Sequence, residues 1–183
     1  MEEYIYLLSC YNHLEGTRIL LRPIVLSDAE DMYEYASDEE TVRFVFEKHQ
    51  NVEETRKNIA NYFMKEPLGK YAIVLKETKK MIGTIDIRLK EEKNSAEIGY
   101  TLNKDYWGNG YITEAGKMIL ELGFETLGLE RIFAYHDSEN PLSGKVMKRL
   151  GMTYEGTLRK NRIHKNRYID DVHYSVLKQD YLS

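Results

Sequence analysis

Residues 97–115 read EIGYTLNKDYWGNGYITEA, and this stretch decides the fold. Its pattern predicts a strand, a short loop containing Gly108 and Gly110, and a helix over about 112–127. The first N–H groups of a helix have no partner within the helix and stand at the positive end of its dipole, so they bind phosphate well. Glycine suits such a loop because it reaches positive φ without strain and lets a ligand lie against the backbone.

The loop does not follow two common phosphate-binding patterns. The dinucleotide fingerprint needs a third glycine three residues after the second, and Thr113 stands there instead. The triphosphate loop needs Gly-x4-Gly-Lys-Ser/Thr, a string that the sequence lacks. The spacing alone therefore leaves two alternatives, a phosphate site and an ordinary strand-to-helix turn.

The rest of the chain mixes strands with helices. Strands are expected over about 18–22, 71–76, 81–89, 131–136, 153–159 and 167–177, and helices over about 28–37, 52–64 and 141–150. Ser27 is expected to cap the helix over 28–37, and Gly151 to end the helix over 141–150. This mixture predicts an α/β or α+β layer fold.

Length and composition limit the class of protein. The 183 residues predict one domain over 16–183, preceded by an N-terminal extension over 1–15. The net charge of -4 argues against nucleic acid as a partner and would suit a cationic one. No apolar run is long enough to span a bilayer, and the apolar piece over 4–10 is too short for a signal peptide. A cytoplasmic protein without membrane contact is therefore expected, and the single Cys10 can form no internal disulfide.

Several motifs accompany the glycine loop in a fixed order: EIGY at 97–100, YWGNGYITEA at 106–115, ENPLS at 139–143, KRLGM at 148–152 and EGTLR at 155–159. With these motifs the chain resembles the GNAT (Gcn5-related) N-acetyltransferase superfamily, and within it the RimJ/RimL-type branch that acetylates ribosomal-protein N-termini. The resemblance implies a mixed, mostly antiparallel central sheet, splayed at its centre and flanked by helices. It also implies transfer of an acetyl group from acetyl-CoA to a primary amine.

The resemblance further implies which residues hold acetyl-CoA. The N–H groups of the loop would take the pyrophosphate, backbone groups of the preceding strand would bind the pantetheine, and Asn140 and Ser143 would lie along the pantetheine arm and the thiol. The cofactor-binding residues are then Ile98, Tyr100, Leu102, Trp107, Gly108, Asn109, Gly110, Tyr111, Ile112, Asn140 and Ser143. The alternative for Asn140 is simple helix capping with Pro141 in the first turn, and both roles can hold at once.

The catalytic residues are less well defined. Glu97 is the first candidate for the general base and Asp86 the second, although a strand glutamate can equally be solvated or ion-paired. Many family members carry a tyrosine where this chain has Met147, which cannot protonate the departing thiolate. Ser143 or a water would serve as the acid, or the thiolate, with a thiol pKa of about 8.5, would leave unassisted. Direct attack without a covalent enzyme intermediate is expected, since Cys10 is remote from the motifs.

The sequence contains no strong pattern for a metal site or for the identity of the acceptor. The five histidines show no metal-ligand spacing, so no metal is expected. A protein N-terminal amine is the preferred acceptor. A small-molecule acceptor such as a polyamine or aminoglycoside, and a CoA-binding module that does not catalyse, are the alternatives. The segment over 4–14 could pack on a neighbouring subunit of a homo-oligomer or fold back on its own domain.

Overall fold

The computed structural model describes residues 2–183 and contains an eight-stranded sheet in the order β1-β2-β3-β4-β5-β6-β8-β7. The strands are β1 (Leu14–Glu15), β2 (Ile19–Arg22), β3 (Lys70–Leu75), β4 (Met81–Lys90), β5 (Ser95–Leu102), β6 (Arg131–Asp137), β7 (Thr153–His164) and β8 (Arg167–Leu177). β5 and β6 pair in parallel, whereas β1–β2, β2–β3, β3–β4, β6–β8 and β7–β8 pair antiparallel. The mixed, mostly antiparallel sheet predicted from the sequence is confirmed.

Residues 2–183 also form seven α-helices. They are α1 (Glu2–Cys10), α2 (Ala29–Ala36), α3 (Glu39–Val42), α4 (Val52–Asn58), α5 (Tyr111–Glu121), α6 (Pro141–Arg149) and α7 (Lys178–Tyr181). α4 and α5 run on into π-helical segments, Ile59–Met64 and Leu122–Thr126, so the helices predicted over 52–64 and 112–127 have nearly the expected lengths. Within residues 2–183, no helix combines the length and the apolar character needed to cross a bilayer.

The prediction that Ser27 caps the second helix is wrong. Leu26–Asp28 form a 3₁₀ turn, and α2 begins only at Ala29. The side chain that accepts a backbone hydrogen bond here is that of Asp28, which bonds the N–H of Val25 at 2.9 Å. Its carboxylate also takes two hydrogen bonds from Arg22, at 2.6 and 2.8 Å. A buried carboxylate with a charged partner has therefore displaced the hydroxyl that local preference favoured.

The described residues form two compact units. The first holds the residues up to Asp86 together with Tyr100–Met118, and the second holds Ile87–Gly99 and Ile119–Ser183. The division into an extension over 1–15 and a single domain over 16–183 stays a prediction.

The first unit has an apolar core between the strands β2–β4 and the helices α2 and α4. Its buried residues are Ile24, Ala29, Met32, Tyr35, Ala36, Ile59, Ala72, Val74 and Met81. The N-terminal segment folds back onto this unit. Leu8 of α1 is buried, the Tyr71 hydroxyl donates a hydrogen bond to the Tyr11 carbonyl at 3.0 Å, and β1 pairs with β2.

The second unit is built around β6. This strand pairs with β8 from Arg131↔Leu177 to Asp137↔Asp171, and with β5 from Ser95↔Arg131 to Glu97↔Phe133. Gly123 lies so close to the strand that an added Cβ would stand 2.4 Å from Ile132 Cδ1. The absence of a side chain at Gly123 thus lets the helix pack tightly on β6.

β7 and β8 form a long hairpin whose outer strand, β7, is an edge of the sheet. Lys165 and Asn166 both have positive φ, as a tight two-residue hairpin turn requires. The pairing shifts register between Tyr154 and Gly156 and again between Leu158 and Arg162. The basic stretch over 159–167 therefore lies at the turn end of this hairpin, where the second shift of register falls.

Candidate active site

The glycine loop leads directly into α5 in the first unit. Gly108 and Gly110 have φ of +79° and +80°, values that side-chain-bearing residues rarely adopt. The Glu114 N–H donates to the Gly110 carbonyl at 3.0 Å, which is the first turn of the helix. The N–H groups of Tyr111 and Ile112 lie before that bond and have no intrahelical acceptor. The loop therefore presents backbone donors at the positive end of the helix dipole.

Neither glycine of the loop is crowded by the protein around it. A Cβ built on Gly108 would meet nothing within 4 Å, whereas one on Gly110 would lie 3.7 Å from Arg18 Nη2, an ordinary contact. The protein itself therefore needs glycine here for its backbone conformation rather than for room. The open side at Gly108 is available to a ligand that approaches the backbone.

One carboxylate fixes the start of α5. Glu114 accepts hydrogen bonds from the Arg18 backbone N–H at 2.7 Å and from Arg18 Nε at 2.8 Å. Arg18 Nη1 donates in turn to the Asn109 carbonyl at 2.9 Å, and the guanidinium lies 4.6 Å from the centre of the Tyr111 ring. A single Arg18–Glu114 pair thus joins the entry to β2, the glycine loop and the helix.

The pKa of Glu114 reflects this arrangement. Burial by itself would raise the pKa of the carboxyl, but the hydrogen bonds from the Arg18 N–H and guanidinium outweigh burial and hold the pKa below its usual value. The carboxylate is therefore charged throughout the neutral range, and the charge also suits the first turn of a helix.

Side chains of the loop bond to the backbone around them. Trp107 Nε1 donates to the Leu102 carbonyl at 2.8 Å. Asn109 Nδ2 donates to the carbonyls of Tyr106 and Trp107, at 3.2 and 3.1 Å. The indole and the Asn109 amide thus hold the loop to the end of β5 and to its own backbone.

In the second unit, Asn140 and Ser143 stand at the start of α6. Asn140 is the N-cap, and its side-chain oxygen accepts from the Ser143 N–H at the long distance of 3.4 Å. Pro141 occupies the first turn, where its missing N–H costs nothing. The capping role is therefore present, and it leaves room for a second role in ligand binding.

Glu97 is ion-paired. Arg88 Nη2 donates to its Oε1 at 2.6 Å, and Lys90 Nζ lies 3.8 Å from its Oε2. The side chain is 12% exposed, and each of its oxygens lies near a cation.

The other candidate residues also have defined surroundings. Met147 is buried within α6, so this position packs the helix and supplies no proton. Ile98 is buried in β5, and Tyr100 is half-buried farther along the same strand. The predicted site residues fall into two groups: Tyr100, Leu102 and 107–112 in the first unit, and Glu97, Ile98, Asn140 and Ser143 in the second.

Sequence reasoning missed Arg18. No local pattern connects Glu114 with a partner 96 residues earlier in the chain. Residue 18 was counted only as the first residue of the strand expected over 18–22, because no local pattern pairs it with an acid.

We expect Glu114→Gln to destabilise the protein by about 1–2 kcal/mol at pH 7, because Arg18 loses a charged acceptor. The pKa of Glu114 is lowered in the folded protein, so its stabilising effect is present above the unfolded value of about 4.3 and is lost as pH falls through the folded-state pKa. Urea unfolding at pH 7 and at pH 3 measures this. Glu121→Gln, an exposed site on the same helix, is the control. A difference between wild type and Glu114→Gln that stays constant down to pH 3 would contradict the assignment.

Residues 18–153 match a family model described as an acetyltransferase (GNAT) domain. The chain is 32% identical over 169 residues to the uncharacterised N-acetyltransferase p20 of Bacillus licheniformis, covering 90% of this chain and 95% of that protein. It is 31% identical to the uncharacterised N-acetyltransferase YnaD of Bacillus subtilis, covering 92% and 99%.

Solved structures agree with this match. The crystal structure of a GNAT-family acetyltransferase from Bacillus anthracis superposes with a TM-score of 0.83 at 28% identity, covering 91% of this chain and 99% of that one. The microcin C7 self-immunity acetyltransferase MccE, solved with acetyl-CoA and AMP, shares the fold with a TM-score of 0.78 at 23% identity, covering 88% and 93%. The chain therefore belongs to the GNAT family of acetyltransferases, N-acetyltransferases that typically depend on acetyl-CoA.

Proposed function

We propose that this enzyme transfers an acetyl group from acetyl-CoA directly to a protein N-terminal amine, as RimJ/RimL-type enzymes do. The observation that carries the acetyl-CoA part is the glycine loop, which combines positive φ at Gly108 and Gly110 with open backbone donors at the start of α5. A cytoplasmic location goes with this proposal, because acetyl-CoA and nascent N-termini meet there.

The loop residues Trp107, Gly108, Asn109, Gly110, Tyr111 and Ile112 would hold the pyrophosphate. The Trp107 N–H already donates to the Lys104 carbonyl at 3.0 Å, so the donors for the anion would be the backbone N–H groups from Gly108 to Ile112. The Arg18–Glu114 pair orders this part of the loop through the Asn109 carbonyl and the first turn of α5. A site whose donors are already ordered binds without the cost of ordering them.

Backbone groups of Ile98, Tyr100 and Leu102 would hold the pantetheine, and Asn140 and Ser143 would lie along the arm and the thiol. When bound, acetyl-CoA supplies the thioester whose carbonyl carbon the amine attacks. An N–H of the strand would stabilise the oxyanion that forms in this attack.

Glu97 would act as general base and Ser143 as the acid. The ion pairs of Glu97 with Arg88 and Lys90 favour an acceptor that needs little help in losing its proton. An α-amine with a pKa of about 8 is partly neutral at pH 7, whereas a lysine-type amine near 10.4 costs about 3 kcal/mol more to deprotonate. This difference is the physical reason for preferring an N-terminal amine.

Two relatives bear on the acceptor. The protein named "Putative ribosomal N-acetyltransferase YdaF" of Bacillus subtilis is 32% identical over 102 residues, about 55% of this chain. The spermidine N(1)-acetyltransferase of Escherichia coli is 20% identical over 166 residues, 90% of this chain. A polyamine is therefore the second candidate acceptor, and the net charge of -4 would suit either cation.

Thiol release from acetyl-CoA, measured against a panel of amines, tests the acceptor. The panel holds peptides with N-terminal Ala and Ser taken from ribosomal proteins, the same peptides with a blocked N-terminus, spermidine and an aminoglycoside. We expect turnover on the free peptides and none on the blocked ones. Turnover on spermidine alone would overturn the N-terminal acceptor in favour of the second candidate.

A cofactor-loop variant tests the acetyl-CoA site. Gly108→Ala places a methyl group on the open side of the loop and strains a backbone at φ +79°, so we expect acetyl-CoA affinity to fall about tenfold or more by calorimetry. Gly128→Ala is the matched control, since Gly128 has φ +67° and nothing within 4 Å of an added Cβ. Equal losses of affinity in the two variants would assign the effect to general strain rather than to the loop.

The base assignment predicts a particular pH profile. Glu97→Gln should lower kcat/KM about 100-fold at pH 7. The loss should shrink toward pH 9, where an α-amine with a pKa of about 8 gives up its proton to bulk water. Glu155→Gln, which removes the acid paired with Arg131, should stay close to wild type. Unchanged activity of Glu97→Gln at pH 7 would remove Glu97 from the mechanism.

A further inference from the structure

The turn between β6 and α6 is organised by Asp137. Its carbonyl accepts the Asn140 N–H at 2.7 Å, and its Oδ1 accepts the Glu139 N–H at 2.9 Å. The residue is 2% exposed. Because the cap bond from Ser143 to the Asn140 side chain is long, the short bond to the Asp137 carbonyl is what fixes the place of Asn140.

Arg167, the first residue of β8, holds this turn from the neighbouring hairpin. Its Nη2 donates to Asp137 Oδ2 at 2.6 Å, and its Nη1 bonds the Glu139 carboxylate. The Asp137 side chain is 1% exposed and that of Arg167 is 42% exposed. The arginine therefore neutralises a charge that could not otherwise remain buried.

A second buried acid, Asp171, increases the negative charge that has to be neutralised at this place. Asp171 stands directly opposite Asp137 in the β6–β8 pairing and is fully buried. Like charges facing each other across a strand pair repel. Each acid has its own arginine from the β7–β8 hairpin, since Arg162 Nε donates to Asp171 Oδ1 at 2.9 Å. Arg167 bonds Asp137, whereas Arg162 bonds Asp171.

The first turn of α6 packs against β6 through Gly144 and His136. His136 donates from Nδ1 to the Asp137 carbonyl at 2.7 Å, and its ring stacks on Tyr174 with the ring centres 5.9 Å apart. A Cβ on Gly144 would lie 2.6 Å from His136 Nε2, so the ring occupies space that only glycine leaves free. The helix start has little freedom to move independently of residues 136–137.

We propose that Arg167 is a positioning residue for acetyl transfer, acting through Asp137 to hold Asn140 and Ser143 in the orientation that binds the pantetheine arm. The proposal rests on the proposed cofactor role of Asn140. Arg167 touches neither acetyl-CoA nor the amine in this role. Its effect is transmitted along one chain of contacts, from the guanidinium to the Asp137 carboxylate and from the Asp137 carbonyl to the Asn140 N–H.

This role differs from plain stabilisation in what it predicts for the two substrates. Loss of Arg167 should raise the KM for acetyl-CoA about tenfold, which corresponds to one hydrogen bond, because Asn140 is misplaced. The KM for the amine should stay within about twofold. A purely stabilising ion pair would change neither constant at a temperature where the variant remains folded.

The experiment compares Arg167→Met with three further variants of the full chain. Arg167→Lys keeps the charge but loses the planar fork, so it should recover part of the KM. Asp137→Asn combined with Arg167→Met removes the unpaired buried charge, and should restore stability without restoring the KM. Arg131→Met, which breaks the pair with Glu155 at the other end of β6, should leave the KM for acetyl-CoA unchanged.

Hydrogen exchange gives a readout that does not depend on turnover. The amides of Asn140 and Ser143 should exchange faster in Arg167→Met than in the wild type, and those of Thr153–Leu158 should not. An unchanged KM for acetyl-CoA in Arg167→Met, or an equal rise in Arg131→Met, would overturn the positioning role. Failure of the wild type to bind acetyl-CoA would instead count against the proposed function, and the exchange comparison would still decide whether Arg167 holds the turn.

Discussion

The hydrogen-bonded ion pair between Glu114 and Arg18 is the contact on which the arrangement of the glycine loop depends. One carboxylate receives both the backbone and the side chain of Arg18, and the same guanidinium reaches back to the Asn109 carbonyl. These contacts orient the backbone N–H groups of the loop without the help of a ligand. Hydrogen bonds to charged groups are strong enough to hold such a loop, whereas the positive φ at Gly108 and Gly110 only permits it.

The second unit uses the same device at the start of α6. There too a largely buried acid, Asp137, is paired with a half-exposed arginine and bonds the backbone at the entry to a helix. In both places the acid is near the start of a helix and the arginine is distant in sequence, Arg18 directly before β2 and Arg167 at the start of β8. The two helix starts most closely tied to the proposed acetyl-CoA site are therefore each fixed by a long-range charge pair rather than by local capping alone.

The sequence could predict those parts of the site that depend on neighbouring residues. A span of about twenty residues contains the strand over 95–102, the glycines with positive φ and the start of the helix that follows them. Their pattern can therefore be recognised in the sequence. Pro141 at the start of α6 and Gly151, with φ +78° at its end, are local in the same sense. The order of motifs then led to the family that the comparisons establish.

The missed features involve partners that are distant in sequence, that compete for one position, or that meet only across neighbouring strands. Arg18 lies 96 residues from Glu114, and Arg167 lies 30 residues from Asp137. A local pattern that covers one helix or strand therefore never contains both members of either pair. Ser27 had good capping chemistry, but Asp28 was drawn to Arg22 and the helix started later. Glu97 was recognisable as a strand acid, whereas its contacts with Arg88 and Lys90 depend on the register of two neighbouring strands.

The bulged outer strand β7 has a consequence for how this protein behaves at high concentration. Its hairpin exposes Tyr154, Leu158, Ile163 and Tyr168, which are each at least half exposed, along an open edge of the sheet. A flat edge with such side chains is a template on which other chains can polymerise into fibrils. The kinks at Gly156 and Lys160, together with the positive charges of 159–167, interrupt and charge this edge, which disfavours pairing with a second chain along its length. Variants in which β7 pairs without these kinks are therefore expected to aggregate more readily, although their active-site residues are unchanged.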